Sequence, residues 1–259
     1  EPEAATTDGV GKTTILENDE VKYVIDSKMH VVSCFDKTVG VELIQKGKPG
    51  NMFKMFDDHP TVYDAWDYEE YADNMQTADT QIVSIEKITG KVRCGVMAFM
   101  TIGQSTVMQT AWLGKTGKRL DFVTDVDWKE SHKLARVEFP VTVRAQQANY
   151  DIAYGTVARD THNNTKWQYA QFEVVGHRFV DMSEPDFGIA LLTDSKYGYR
   201  VKEGVMSLSL LRAPTNPDPI CDVGEHHFVY SLLPHAGTLA CRDEVVANAA
   251  VINQGLEKF

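Results

Sequence analysis

Short runs in which apolar and polar residues alternate, each closed off by turn residues, recur along most of this chain and limit what it can become. Val21, Tyr23 and Ile25 alternate with polar neighbours, which places the apolar set on one side of a pleated strand. His30-Val31-Val32-Ser33-Cys34-Phe35 follows after a turn, the pattern of a hairpin. Further β-rich runs cover 81–86, 92–102, 106–113, 120–128, 135–143, 152–157, 172–175, 188–192, 205–211 and 228–233. Thr89-Gly90, Thr116-Gly117, Asn163-Asn164 and Asn216-Pro217-Asp218-Pro219 separate them. Only 244–252 holds a helical period, and no fixed-period repeat is present. Many strands at short spacing with few helices predict an all-β protein, a large sandwich of paired sheets. The expected organisation is a flexible lead-in over 1–14, one β unit over 15–240, and a C-terminal extension over 241–259 that is open to a further β segment.

At 259 residues the chain is long enough to bury a substantial core, and all-β sandwiches of this size fold as one unit. A net charge of −11 argues against nucleic acid, whose binding rests on phosphate contacts, and against an anionic membrane surface. No apolar run approaches the roughly 20 residues that cross a bilayer, and the polar segment 1–7 does not read as a secretory signal. Cys34, Cys94, Cys221 and Cys241 are far apart with no CxxC spacing, so they read as reduced thiols. That favours a cytoplasmic or vacuolar setting.

Candidate chemistry concentrates in Phe56-Asp57-Asp58-His59-Pro60-Thr61-Val62-Tyr63-Asp64-Ala65-Trp66-Asp67, followed by Tyr68, Glu69, Glu70 and Tyr71. Three readings stand. Asp57, Asp58, Asp64 and Asp67 offer oxygen ligands for Ca²⁺, although their spacing matches no known loop. Tyr63 and Trp66 fill a core while the acids face water. Or rings and carboxylates together hold a sugar, the rings against its C–H faces and the acids on its hydroxyls. A second concentration, Arg159-Asp160-Thr161-His162-Asn163-Asn164-Thr165-Lys166-Trp167, reads as a hydrogen-bonded loop or a hydroxyl-binding one, and Asn163-Asn164-Thr165 is a formal glycosylation acceptor. A third, His177-Arg178-Phe179-Val180-Asp181-Met182-Ser183-Glu184, pairs bases with acids in the manner of a structural network. Adjacent His226 and His227 face opposite sides of a strand, which weakens a zinc site built with His235. Asp8-Gly9-Val10-Gly11-Lys12-Thr13-Thr14 fails as a phosphate loop, because Thr6 stands where the first glycine belongs. No GxSxG elbow is present.

Together these runs resemble the C-terminal region of glycoside hydrolase family 38 α-mannosidases, of the cytosolic or vacuolar type. The first matches the family's FDDxPxxxDAWD pattern. It is followed in order by Val137-Glu138-Phe139-Pro140, Thr161-His162-x-Asn164-Thr165-x-Trp167, Phe172-Glu173-Val174, His177-Arg178, Ser183-Glu184, Lys196-Tyr197-Gly198, Leu208-Ser209-Leu210-Leu211-Arg212-Ala213-Pro214, His226-His227-Phe228 and Pro234-His235. The resemblance spans roughly 15–240. Four positions depart from it: Asp160 stands for Pro, Lys166 for Ser, and Gln168 and Gln171 for Asp and Arg.

The resemblance implies a galactose-mutarotase-like β super-sandwich that packs against an N-terminal catalytic barrel of the same enzyme. It implies retaining hydrolysis of mannose-containing oligosaccharides by two carboxyls about 5–5.5 Å apart. Those carboxyls and the Zn²⁺ ligands belong to the barrel and helical bundle, so this chain is expected to hold no catalytic residue and no metal ligand. Tyr63, Asp64, Trp66 and Asp67 become the substrate-contact candidates, with His162 and Asn164 after them. A stand-alone carbohydrate-binding module using 56–71, and a mutarotase-like sugar epimerase using His162 with Asp64, are the alternatives.

Overall fold

The computed structural model describes residues 13–238 and 243–254, so most of the expected lead-in lies outside the described residues. Strands β1 (Thr14–Glu17), β2 (Val21–Ile25), β3 (Val31–Asp36) and β4 (Val41–Glu42) form a four-stranded antiparallel sheet in that order. β5 (Met52–Asp57) leads through a long loop and a 3-10 turn (Glu70–Asn74) to β6 (Gln76–Asp79). A meander follows: β7 (Gln81–Thr89), β8 (Arg93–Ile102), β9 (Ser105–Gly114) and β10 (Leu120–Trp128). Next come β11 (Lys133–Pro140), β12 (Gln147–Ile152), β13 (Gly155–Asp160) and the single-turn helix α1 (Lys166–Tyr169). The chain closes with β14 (Val174–Val175), β15 (Phe179–Ser183), β16 (Phe187–Thr193), β17 (Gly198–Lys202), β18 (Val205–Arg212), β19 (Gly224–Ala236) and helix α2 (Asp243–Gln254).

Two larger antiparallel sheets build the sandwich. One has nine strands in the order β13-β12-β15-β16-β19-β10-β9-β8-β7, the other six in the order β14-β17-β18-β11-β5-β6. Period-2 alternation makes each strand two-faced: β10 runs buried and half-buried in strict alternation, with Leu120, Phe122, Thr124, Val126 and Trp128 inward. One buried cluster joins residues of all three sheets. At its centre the Phe122 and Tyr230 rings stack at 5.0 Å, with Phe139 of the six-stranded sheet 5.9 Å from Phe122. The buried polar groups there satisfy one another. Asn51 donates to Gln109 at 2.8 Å, Gln109 donates to Tyr230 at 2.8 Å, and the Tyr230 hydroxyl returns to Asn51 at 2.6 Å.

The outer face of the nine-stranded sheet has a second apolar patch, Phe179, Ala190, Leu192 and Leu233, and α2 covers it with Val245 and Ala249. The helical period over 244–252 therefore marks an integral layer of the domain.

Two strand expectations fail and one strand goes unforeseen, for identifiable reasons. The run 152–157 is the tip of the β12–β13 hairpin, with Ile152 paired to Gly155 and Tyr154 at φ 64° in the two-residue turn. Its apolar residues resemble a strand because a tight hairpin interrupts the alternation for only two residues. In 172–175 only Val174 and Val175 pair. The stretch 177–184 contains β15, whose Asp181 is fully buried against His235 at 2.6 Å. A buried charge inside a strand hides it from a hydropathy pattern.

Candidate functional site

The signature segment begins as structure and ends as surface. Phe56 is buried in β5, and Asp57 at the strand end pairs with Lys133 on the neighbouring β11. Asp58 is buried and takes the guanidinium of Arg212 from β18. The same guanidinium donates to the carbonyls of Ala65 and Asp67, so one arginine fixes both ends of the loop. Asp64 turns back to accept from the Thr215 amide at 2.6 Å and the Asn216 amide at 3.1 Å. His132 lies 3.5 Å from Asp64 and stacks on His59 at 4.5 Å between ring centres. Burial pushes the Asp64 carboxyl up, but the Thr215 amide, His132 and the Asn216 amide hold it below the usual carboxylate range. Glu69 accepts from the Thr61 amide at 2.6 Å, and the Tyr71 hydroxyl donates to the His59 carbonyl.

The rings behave differently from the acids. Tyr63 and Trp66 are each 69% exposed, so neither fills a core. They sit on a turn closed by the Trp66 and Asp67 amides on the Tyr63 carbonyl, at 2.8 and 2.9 Å, with Tyr63 at φ 55°. Left-handed backbone at a non-glycine residue costs about 1–2 kcal/mol and is retained here by the bonds around it. The Asp67 carboxylate accepts no hydrogen bond from the described residues, while its carbonyl serves Arg212. Of the four candidate acids, then, Asp57, Asp58 and Asp64 position the loop. The calcium reading loses its ligands to these pairs, and no group of three or more His, Cys, Asp or Glu among the described residues could hold a metal ion.

Beneath the loop is a charged network that no sequence motif announced. Arg136 of β11 is 1% exposed and pairs with Asp73 at 2.7 Å and Glu173 at 2.6 Å. The Tyr68 hydroxyl accepts from Arg136 at 2.9 Å and donates to Asp73 at 2.7 Å. Arg200 reaches the other oxygen of Asp73 at 2.6 Å, and Ser209 donates to Glu173 at 2.7 Å. Burial, and then the bond to Asp73, raise the Tyr68 phenol above its usual range, so it stays a neutral donor. Arg136 is detectable in the sequence in one way: it interrupts the apolar run Leu134-Ala135-Arg136-Val137, and a charge there must be paired.

The other predicted residues lie apart. His162 lines a cleft of about 640 Å³ with Arg144, Gln146, Met182 and Glu203, which holds no residue of 56–71. Its Nδ1 is buried without a hydrogen-bond partner. Asn164 is exposed. Among the described residues no hydrogen bond or ion pair joins His162 to Asp64, and the cleft at His162 does not include Asp64, so the epimerase pair is not assembled. The departures around His162 compensate one another: Gln168 completes a capping box with Thr165 and donates to Asp160 at 2.6 Å. His226, His227 and His235 bond separately to the Asp222 carbonyl, Asp125 and Asp181. Cys34, Cys94 and Cys221 are free thiols, and Cys241 lies outside the described residues.

Comparison with known proteins agrees with this architecture. The model of the glycosyl hydrolases family 38 C-terminal domain matches residues 16–220. Alpha-mannosidase G of Dictyostelium discoideum is 40% identical over 249 residues, 93% of this chain and 22% of that protein. Alpha-mannosidase 2C1 of Homo sapiens is 40% identical over 252 residues, 94% of this chain and 23% of that protein. The chain thus spans under a quarter of the length of these relatives. A solved family 38 protein from Enterococcus faecalis superposes with a TM-score of 0.76 at 14% identity, covering 96% of this chain and 33% of that one, a likeness of fold. With its three antiparallel sheets and its signature loop, this chain belongs to the C-terminal domain family of the family 38 glycosyl hydrolases.

Proposed function

We propose that this chain is the C-terminal β-sandwich part of a retaining α-mannosidase that removes terminal non-reducing α-D-mannose from oligosaccharides. The observation that carries the reading is the 63–67 turn. Two exposed rings are held in a fixed place by the Arg212 guanidinium on buried Asp58 and by the bonds of Asp64 to the Thr215 and Asn216 amides, on a chain 40% identical to α-mannosidases. Rings pre-set in this way suit the C–H face of a sugar, since little freedom is lost on contact. The chain supports the pocket and lines it from one side, and the reacting carboxyls belong to a barrel domain of the same enzyme. The Zn²⁺ that the family resemblance implies belongs with the same barrel. A cytoplasmic or vacuolar/lysosomal setting accords with the three free thiols.

The test has two arms. The isolated chain should not hydrolyse an aryl α-mannoside, whereas the whole enzyme should, and turnover by the chain alone refutes the division of labour. In the whole enzyme, Trp66→Ala should lower kcat/KM by roughly 2- to 12-fold, the value of one lost aromatic contact. Unchanged kinetics would remove Trp66 from the pocket.

A further inference from the structure

A separate cleft of about 590 Å³ opens where the β12–β13 hairpin, the β14–β17 ladder and α2 meet. It uses the His177-Arg178 motif, which the 63–67 turn leaves unexplained. Tyr154 projects from the hairpin tip, fully exposed and at φ 64°. Glycine or asparagine is the ordinary occupant of a left-handed turn position. A bulky ring kept there, without burial in return, is an outlier of the kind that marks a contact surface. Tyr63 shows the same combination of left-handed backbone and exposed ring on the signature turn.

The rest of the wall is polar but electrically balanced. Arg178 is locked on Asp151 through two bonds of 2.8 and 3.0 Å, which leaves Nη1 free to donate. The His177 ring meets Tyr197 edge-on at 6.0 Å, and neither of its nitrogens has a hydrogen-bond partner among the described residues. Asn253 of α2 donates through Nδ2 to the carbonyls of Thr193 and Ala249, leaving Oδ1 as an acceptor. Tyr197 is 54% exposed. Two tyrosine rings therefore flank a set of mixed donors and acceptors whose one cation is already neutralised. An anion or a cation would find no net counter-charge here, whereas a neutral polyhydroxylated chain finds flat rings and both kinds of hydrogen-bonding group. The volume lies in the range of small-ligand pockets, about 300–1,000 Å³.

We infer that this cleft is a second carbohydrate site that takes a neutral oligosaccharide, with Tyr154 and Tyr197 as its stacking platforms. The inference goes beyond the 63–67 reading and does not depend on it; only the choice of a mannose probe follows from the family. The full chain is titrated calorimetrically with linear α-linked mannotriose in a background carrying Trp66→Ala together with Tyr63→Ala, which removes both rings of the signature turn. Binding near millimolar, as for a shallow site, should persist there. Adding Tyr154→Gly should weaken it by about fivefold or more, the equivalent of a lost ring contact. The same change should raise the melting temperature, because glycine relieves the left-handed backbone, so an unfolded variant cannot mimic the loss. Tyr197→Ala should weaken binding in the same sense. No binding in the chain lacking both rings of the turn, or binding unaltered by Tyr154→Gly, overturns the site. The first of these outcomes leaves the proposed role of the 63–67 turn intact.

Discussion

Arg136→Met is the sharpest probe of how this domain holds its functional loop. Methionine fills much of the same volume but withdraws the charge from both Asp73 and Glu173. Asp73 retains Arg200 at 2.6 Å and the Tyr68 hydroxyl. Glu173 retains only the Ser209 hydroxyl, with its side chain 17% exposed. Removing one partner of a buried pair costs roughly 3–5 kcal/mol. The partial exposure of Glu173 and the surviving partners of Asp73 place this case at the lower end, about 3 kcal/mol. At this chain length that corresponds to a fall in melting temperature of about 6–12 °C. Urea denaturation of Arg136→Met, Glu173→Leu and the double variant forms a cycle. The double variant should recover most of the loss, because the orphan charge is gone and an apolar pair of similar volume replaces it. Hydrogen exchange in the segment 68–73 should quicken in Arg136→Met and return towards normal in the double variant. A single-variant cost below about 1 kcal/mol, or a double variant as unstable as the sum of the singles, would refute the claim that Arg136 anchors this loop.

Further outcomes follow from single contacts. Trp66→Ala should change the stability of the isolated chain by no more than about 0.5 kcal/mol, the range for exposed positions, as read by urea midpoint. His235 is pulled down by burial but raised overall by its bond to Asp181, and the charged form is the one stabilised in the fold. Its contribution is complete below its ordinary value of about 6.5 and declines as pH rises through the raised folded value. Stability should therefore fall as pH rises above about 6.5, and Asp181→Asn should flatten that slope in a series of melts. Gly188→Ala would place a methyl carbon 2.5 Å from His235 Cε1 and 2.7 Å from Ser183 Cβ. It should destabilise by about 1–3 kcal/mol, as overpacking does, with calorimetry as the check. Burial raises the Cys34 thiol well above its ordinary range. A thiol reagent should therefore leave Cys34 unmodified in the native chain and label it in urea.

Two kinds of strand were legible in the sequence: those with one face buried, through their alternation, and short apolar runs buried on both faces, such as 188–192 in β16, through their continuous hydrophobicity. The 120–128 run coincides with β10 because its alternation is unbroken, and 244–252 falls within α2 because its period changes to that of a helix. Legibility was lost where a charge is buried: Asp181 hid the strand β15, and at Arg136 the strand was legible but the ion pairs were not. A hydropathy pattern scores such residues as surface, while the fold supplies a partner from more than 50 residues away. The signature segment shows the same limit. Its composition announced rings and acids, but only the fold could show that Asp58 and Asp64 answer to Arg212 and Thr215 and leave the rings outside.

The position of β19 has a consequence for how the chain assembles. On one side of it the β7–β10 meander is built from hairpins close in sequence, and on the other β15 and β16 pair as neighbours. Among the described residues the two blocks are joined in the sheet through β19, which pairs Leu120 with Leu232 and Ala190 with Leu233. Until that strand exists, β10 has an unpaired edge, and such an edge invites pairing with other chains. At synthesis rates of about 5–20 residues per second, the interval between the end of β10 and the start of β19 lasts on the order of 5–20 s. The nine-stranded sheet is therefore closed by β19, the last strand among the described residues, and its folding should be slow and sensitive to chaperones.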